Sequence, residues 1–294
     1  MKVLNFGSLN MDYVYALDHI VQGGETILSG SMKVFAGGKG LNQSIALAKA
    51  GVPVYHAGLV GNDGQILLDT CHEYGVNTEF VQALDVKGGH TIIQVDAQGQ
   101  NCIILYGGTN QMQTKERVDE VLSHFEEGDY LILQNEINLL DYIIDAAYER
   151  GMKIVLNPSP FDDRLKSCAL DKVFLFMLNE VEGEQITGSD DPDVILTKLL
   201  EMYPHASIVL TLGSRGSVYY DGQQKVFQDI FKVKAVDTTA AGDTFTGFFV
   251  AGLIAGKEIP DILRTASRAS SITVSRPGAA PSIPSITEVE QAEK

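Results

Sequence analysis

The 294-residue sequence has no tryptophan, nine prolines and only three cysteines, Cys71, Cys102 and Cys168. The cysteines are far apart, odd in number and form no Cys-x-x-Cys pair. The chain therefore has neither the framework of a disulfide-stapled domain nor the ligand spacing of a zinc site. Basic residues are also scarce, with 22 lysines and arginines against 38 acids and a formal net charge of −16. Such a chain repels nucleic acid and anionic membranes, so neither is an expected partner. An anionic substrate must then be held locally, by dipoles, a metal or a few placed cations. Long apolar runs are missing too. The longest, Phe245 to Ala255, is broken by Thr246, Gly247 and Gly252 and falls short of the ~20 residues of a membrane span. The opening MKVLNFGSLNMDYV carries one basic residue before Gly7 and lacks a signal-peptide pattern. Together these absences lead to the expectation of a soluble, cytoplasmic protein.

What remains is ordinary for a globular chain: 45% hydrophobic and 20% charged residues, enough to build a core and to argue against disorder. From about residue 128 a strand-then-helix rhythm repeats. Asp129 to Gln134 is a short apolar run. Leu139 to Tyr148 follows, with apolar pairs at 139/140, 143/144 and 147/148 and Gly151 where a helix C-cap belongs. Lys153–Leu156, Val173–Leu178 and Ser207–Leu212 are continuous apolar strands, as expected when helices cover both faces of a sheet. This alternation predicts a doubly wound α/β fold with a mostly parallel sheet flanked by helices, and ligands beyond the carboxyl ends of its strands.

The first third reads differently. Segments 11–35 and 88–106 hold alternating or β-branched stretches (Thr26–Ser29, His90–Val95, Asn101–Tyr106) with glycine-rich breaks and no strong helix between. They predict a small inserted β-sheet, placed either to cover a ligand as a lid or to pair with another subunit. No repeat, low-complexity linker or proline-rich boundary divides the chain, so residues 1–294 read as one folding unit. The polar segment Thr287–Lys294 reads as a short terminal helix or a frayed end.

The most informative stretch is Val236-Asp-Thr-Thr-Ala-Ala-Gly-Asp-Thr-Phe245. Small residues at 240–242 allow a tight turn, and an apolar helix follows at once. Free N–H groups at a helix start bind anions. Asp243 in that first turn is unremarkable as a helix-capping acid. It also combines an anion hole with a proton acceptor, the pairing that phosphoryl transfer to a hydroxyl requires. A P-loop would need Gly-x4-Gly-Lys-Ser/Thr, but Gly38-Lys39 runs into Gly40 and position 33 is not glycine. A dinucleotide fingerprint would need a third glycine where Gln43 stands.

The same stretch, with Phe35-Ala-Gly-Gly-Lys-Gly-Leu-Asn-Gln43, resembles the two signatures of the ribokinase (pfkB) family of carbohydrate kinases. Leu156-Asn-Pro-Ser-Pro160, Asn179-Glu-Val-Glu182, Thr211-Leu-Gly-Ser-Arg-Gly216 and Arg276-Pro-Gly-Ala-Ala-Pro-Ser-Ile-Pro284 lie between and after them in the family's order. The resemblance implies an ATP-dependent kinase acting on ribose or a similar small sugar. It implies Asp243 as base, with an anion hole from Ala240, Ala241 and Gly242. Asn10, Asp12, Gly38, Lys39, Gly40, Asn42 and Glu136, together with Asp243, would bind the sugar. Asn179, Thr211, Gly213, Ser214, Arg215, Gly216, Gly242 and Ser267 would line the ATP site. Asn179 and Glu182 would hold magnesium through waters. Asp237, Thr239, Thr273, Arg276, Gly278 and Ser282 would form a potassium site. A homodimer through the lid is the implied assembly. Read without the family, Asn179-Glu180 is a helix start with acids in its first turn, and Gly213–Gly216 is a hairpin turn.

Two positions depart from the family pattern. Met11 replaces a small residue between Asn10 and Asp12, which is expected to add apolar bulk near the sugar and shift preference among pentoses or towards a deoxy sugar. Ser267 stands where a histidine or asparagine often faces adenine. Kinases for other sugars, sugar acids or nucleosides remain as alternatives, and a non-catalytic sugar or nucleotide sensor as a more distant one.

Overall fold

The computed structural model describes residues 1–292. In chain order it begins with β1 (Val3–Phe6), β2 (Asn10–Ala16), β3 (Ser31–Gly37), α1 (Lys39–Lys49), β4 (Tyr55–Val60) and α2 (Gln65–Glu73). There follow β5 (Asn77–Ala83), β6 (Gly89–Val95), β7 (Asn101–Tyr106), α3 (Lys115–Leu122), β8 (Tyr130–Gln134), α4 (Leu140–Glu149) and β9 (Lys153–Asn157). Then come β10 (Leu175–Asn179), α5 (Glu180–Thr187), α6 (Pro192–Met202), β11 (Ser207–Thr211), β12 (Ser217–Tyr220) and β13 (Lys225–Gln228). Three helices close the chain: α7 (Ala241–Ile254), α8 (Ile259–Val274) and α9 (Ile286–Gln291).

Nine strands form one sheet in the order β13-β12-β11-β10-β9-β8-β1-β4-β5. All pairings are parallel except the β11–β12 and β12–β13 hairpins at one edge. The central strands are apolar throughout because both faces are covered, and their residues alternate between two cores with the period of the pleat. Tyr130, Ile132, Val155, Leu175, Met177 and Val209 face α1, α2, α7, α8 and α9. Leu131, Leu133, Ile154, Phe176, Leu178 and Ile208 face α3, α4 and α6 on the other side. The doubly wound α/β fold expected from the sequence is the one observed.

The helices start where their sequences provide caps. Thr114 caps α3, Asp191 caps α6 just before Pro192, and Asn179–Glu182 and Ser285–Glu288 form capping boxes on α5 and α9. Thr287 to Gln291 thus belongs to a short helix; Glu293 and Lys294 lie outside the described residues.

The small sheet is real, with the order β3-β2-β6-β7, but two expectations need correction. Thr26–Ser29 is not a strand, because β3 starts at Ser31, and 21–30 is an exposed loop crowded with polar residues and glycines. Within the sheet β2 and β6 run parallel, while β2–β3 and β6–β7 are antiparallel. The strand–helix rhythm does not begin near residue 128. It begins at β1, and α1, β4, α2 and β5 stand between the two halves of the small sheet. The helical signal in α1 was obscured by its glycine-rich start and by polar residues that turn out to be buried (Asn42, Gln43 and Ser44).

One contact fixes the two halves against each other. Helices α1 and α7 cross at Gly247, where an added Cβ would lie 2.4 Å from Ala46 Cβ and 2.9 Å from the Ala46 and Leu47 backbone. No side chain fits there. Gly247→Ala is expected to destabilise the fold by about 1–3 kcal/mol, as overpacking of a filled interior does. Urea unfolding would read this as a lower midpoint. Gly23→Ala, at a site with nothing within 4 Å, is the control expected to leave the midpoint in place.

Candidate active site

The carboxyl ends of β9, β10 and β11 converge with the amino end of α7 around a cleft of about 230 Å³. Its walls include Lys39, Asn157, Asn179, Glu182, Thr211, Thr238, Ala240, Ala241, Gly242, Asp243 and Thr246. A cleft at the carboxyl edge of a parallel sheet is where open α/β folds bind ligands.

Helix α7 opens with Ala240 in the left-handed conformation (φ 60), a strained turn for a residue with a Cβ. The turn aims the first amides of α7 into the cleft. The Ala241 N–H is directed at the Thr238 carbonyl at 3.3 Å, whereas those of Gly242 and Asp243 have no backbone acceptor. Of the expected amides at 240–242, those of Ala240 and Gly242 have no backbone acceptor and that of Ala241 is turned back on Thr238. Asp243 is 8% exposed, and its Oδ1 and Oδ2 accept from Gln43 Nε2 (3.0 Å) and Asn42 Nδ2 (3.1 Å).

A polar cluster lies on the other side of Asp243. Glu136 Oε2 accepts from the Ser8 hydroxyl and from the Lys39 amide at 3.1 Å. Burial holds its carboxyl above the usual range, although the Ser8 hydroxyl and the Lys39 charge pull the other way. Burial also opposes the Lys39 charge, but the Asp243, Glu136 and Glu182 carboxylates outweigh it and keep the ammonium above its ordinary pKa. Lys39 thus projects into the cleft on its side chain while its backbone serves the cluster. Asn10 Oδ1 accepts from Asn110 Nδ2 at 2.7 Å, and Asp12 Oδ1 accepts from Thr91 Oγ1 at 2.6 Å. Gly38 (φ +98) and Gly40 pass so close to Ser8 that a Cβ on Gly40 would lie 2.4 Å from the Ser8 nitrogen. Asn42 Oδ1 is buried without a partner, an acceptor left open beside Asp243.

Met11 departs from expectation. It pairs with Ala36 and His90 on β2, so it points to the face opposite Asn10 and Asp12 and packs into the apolar core at 6% exposure. Its bulk is spent on packing rather than against the polar cluster.

At the opposite wall, Asn179 and Glu182 are locked in the α5 capping box. Both Glu182 oxygens accept from Asn179, and Asn179 Oδ1 accepts from the Glu182 amide at 3.0 Å. Among the described residues, no cluster of three His, Cys, Asp or Glu side chains could cage a metal. A carboxylate so engaged fits a hydrated ion held through water, which is the mode magnesium favours. Thr211 lines the cleft, and Gly213–Gly216, with Ser214 in its middle, makes the tight connection into β12. The hairpin reading fits Gly213–Gly216, and of this segment it is Thr211 that lines the cleft. Arg215 is paired with Glu180 rather than free to face the cleft. Ser267 of α8 lies farther along, its hydroxyl 3.4 Å from that of Ser217.

The potassium candidates meet behind the α7 start. Asp237 accepts from the Thr239 amide (2.9 Å) and hydroxyl (2.6 Å) and from the Gly278 amide (2.9 Å). Burial opposes its charge, yet these donors prevail and set its pKa below the ordinary value. The Thr273 carbonyl at the α8 carboxyl end takes the Arg276 amide, and the Arg276 guanidinium is drawn to Glu288. The Thr273 and Ser282 hydroxyls are turned inward, to Ala269 and Ala279 carbonyls. A carboxylate beside a helix carboxyl end suits a cation.

Sequence reasoning missed Ser8, Asn110, Thr91, Gln43 and Gln134. Gln134 carried a signal in hindsight, as a polar residue ending an apolar strand that is covered on both faces.

Compared with known proteins, the chain matches the model of the pfkB family carbohydrate kinases over residues 1–286. It is 34% identical over 289 residues to the ribokinase of Bacillus subtilis (strain 168), covering 97% of each chain. The Thermotoga maritima ribokinase structure superposes with a TM-score of 0.89 at 31% identity, over 99% of this chain and 98% of that one. The Arabidopsis thaliana ribokinase complexed with ribose and ATP superposes with a TM-score of 0.85 at 28% identity, over 100% and 98%.

Asp12 gives the polar cluster a pH signature. Burial, less the Thr91 hydrogen bond and with Glu136 nearby, raises its pKa from 3.8 to about 6. A raised carboxyl costs stability where it is ionised, above pH 6, and costs nothing below about 4. Asp12→Asn is therefore expected to raise the melting temperature at pH 8 but not at pH 4.

Proposed function

The chain belongs to the pfkB family of carbohydrate kinases, and from that premise we propose that it phosphorylates ribose from MgATP with Asp243 as the base. It is a ribokinase-like, ATP-dependent sugar kinase; the sugar and the roles of individual residues are the proposal. The observation that carries it is the position of Asp243, in the first turn of α7 between the polar cluster and the cleft.

In this reading Asn10, Asp12, Asn42 and Glu136 hold the sugar hydroxyls, and Gly38, Lys39 and Gly40 let the chain approach closely. Asp243 receives the proton of the attacking hydroxyl. The open amides at the start of α7 stabilise charge on the transferring group, with the Lys39 ammonium beside them. Asn179 and Glu182 hold the hydration shell of a magnesium ion, whose contribution is to neutralise charge on the ATP phosphates. Thr211, Gly213, Ser214, Gly216 and Ser267 flank the nucleotide. Potassium at Asp237, Thr239, Thr273, Arg276, Gly278 and Ser282 would stiffen the loop entering α7 without touching substrate. With Met11 turned away, the sequence-based reason to favour a deoxy sugar falls, and ribose stands as the proposed substrate.

Asp243→Asn is expected to lower kcat by about 10²–10⁴ while ribose affinity stays within a few-fold, as loss of a general base does. A coupled ADP-release assay over ribose, 2-deoxyribose, other pentoses, hexoses, sugar acids and nucleosides, with and without potassium, tests the whole reading. Turnover on ribose that rises with potassium supports it. Turnover on another panel sugar moves the substrate, and ATP binding with no turnover revives the sensor alternative.

The small sheet is read as a lid that excludes water, which otherwise competes as phosphate acceptor. Phe35, Ile103 and Leu105 share a face with Asp12 and are 40–55% exposed, and β7 is an edge strand. A second copy of the lid is the proposed cover, making a homodimer. Sedimentation velocity is expected to show a dimer that Ile103→Asp with Leu105→Asp converts to monomer. A monomeric parent would sink the assembly.

A further inference from the structure

Asp243 is held from behind by a row of buried carboxamides. Gln43 Nε2 donates to its Oδ1 at 3.0 Å, and Gln43 Oε1 accepts from Gln134 Nε2 at 2.7 Å. The second Gln134 N–H goes to Asn5 Oδ1 at 3.0 Å. Asn5 Nδ2 closes the row on the Gly40 carbonyl (2.7 Å) and the Ser44 hydroxyl (2.9 Å). Gln43, Gln134 and Asn5 are at most 1% exposed, so neither solvent nor substrate reaches them.

Both ends of the row accept hydrogen bonds, and this fixes its direction. The Gly40 carbonyl requires the Asn5 NH₂, so Asn5 shows its oxygen to Gln134. Gln134 must then present its NH₂ to both neighbours, and Gln43 takes one of those bonds on its oxygen. Only its own NH₂ is left for Asp243. Turning any amide over would set oxygen against oxygen or NH₂ against NH₂ in a buried place, at the cost of unsatisfied polar groups. The row cannot turn to follow the carboxylate; the carboxylate is held by the row.

We propose that Gln43 is a positioning residue for phosphoryl transfer: its fixed N–H pins Asp243 Oδ1 while Asn42 Nδ2 holds Oδ2, and the fixed row thereby sets the orientation in which the carboxylate meets the sugar hydroxyl. The inference rests on the reading of Asp243 as base. The charged groups facing Asp243 are Lys39 of α1 and Glu136 beyond β8, with Glu182 of α5 acting on Lys39 across the cleft. All three stay in place when only Gln43 is changed.

The test measures kcat and KM against pH for the full chain with MgATP and ribose, or whichever panel sugar is turned over. Gln43→Met keeps the length and removes the N–H. It is expected to lower kcat about tenfold and to move its acid limb up by about one pH unit, with sugar KM within about threefold. Gln43→Glu keeps the acceptor that Gln134 needs, so it separates the effect from misfolding. It puts two carboxylates in contact, which can share one proton but resist ionising together. Its kcat is expected to fall as pH rises, a limb the parent lacks. If both variants keep the parent pH profile, at whatever kcat, the positioning role is overturned. So it is if KM rises while kcat holds. Asp243→Asn measured alongside separates the two readings. If it keeps its kcat, the base assignment falls and this inference with it. If it is inactive while the Gln43 variants titrate like the parent, only the positioning role falls.

Discussion

The site depends on how closely α1 can approach α7. A glycine at 247 lets the two helices touch backbone to side chain, and that contact brings Asn42 and Gln43 within hydrogen-bond reach of Asp243, some 200 residues later in the chain. A second close approach, of Gly40 on Ser8, seats the start of α1 against the end of β1. The two contacts fix α1 at both ends. What seems a loose collection of glycine-rich signatures in the sequence is thus one mechanical requirement. The helix that carries the sugar-side polar groups must be held, without slack, against the helix that carries the carboxylate.

Charge is organised just as tightly. The chain carries −16 overall, and the cleft itself gathers Asp243, Glu182 and, behind them, Glu136 and Asp12. An anionic nucleotide meets a field that should repel it. The counterweights are few and local: Lys39 among three carboxylates and the open amides at the amino end of α7. Amides add no net charge and lose nothing by reorganisation, because the helix already orients them. Arg215, a candidate cation from the sequence, is occupied by Glu180. On the proposed reading the site would hold phosphate through geometry more than through charge, and a divalent ion arriving with ATP would fit the remaining deficit.

The parallel sheet was legible because its strands are covered on both faces and so are apolar without interruption. β8 to β11 could be found from hydrophobicity alone. The same logic hid α1, since helical reading relies on an apolar stripe, and α1 buries Asn42, Gln43 and Ser44 where a stripe would hold leucines. The loop 21–30 failed for the opposite reason: Thr26-Ile-Leu-Ser has strand chemistry but no partner, and Leu28 is left 94% exposed. In the site, residues with a distinctive chemical type at a turn were found, among them Asp243, Asn179 and Glu182. Residues whose importance comes only from what lies behind them were not. A glutamine in a signature gives no hint that both ends of its amide are committed.

Met11 shows where a one-dimensional reading goes wrong even when the residue is rightly singled out. Neighbours in a strand point to opposite faces, so a residue between two binding positions is, by the pleat, the one turned away from the ligand. Its side chain is buried in the core cluster against which Tyr13, Val34 and Ala36 also pack, on the face opposite Asn10 and Asp12. Any influence on substrate choice has to pass through the position of β2 as a whole. That would move Asn10 and Asp12 together, because they share that strand, while Glu136 and Asn42 are anchored elsewhere. If Asn10 and Asp12 bind the sugar as proposed, specificity would depend on how the small sheet docks on the large one, as much as on which side chains line the cleft.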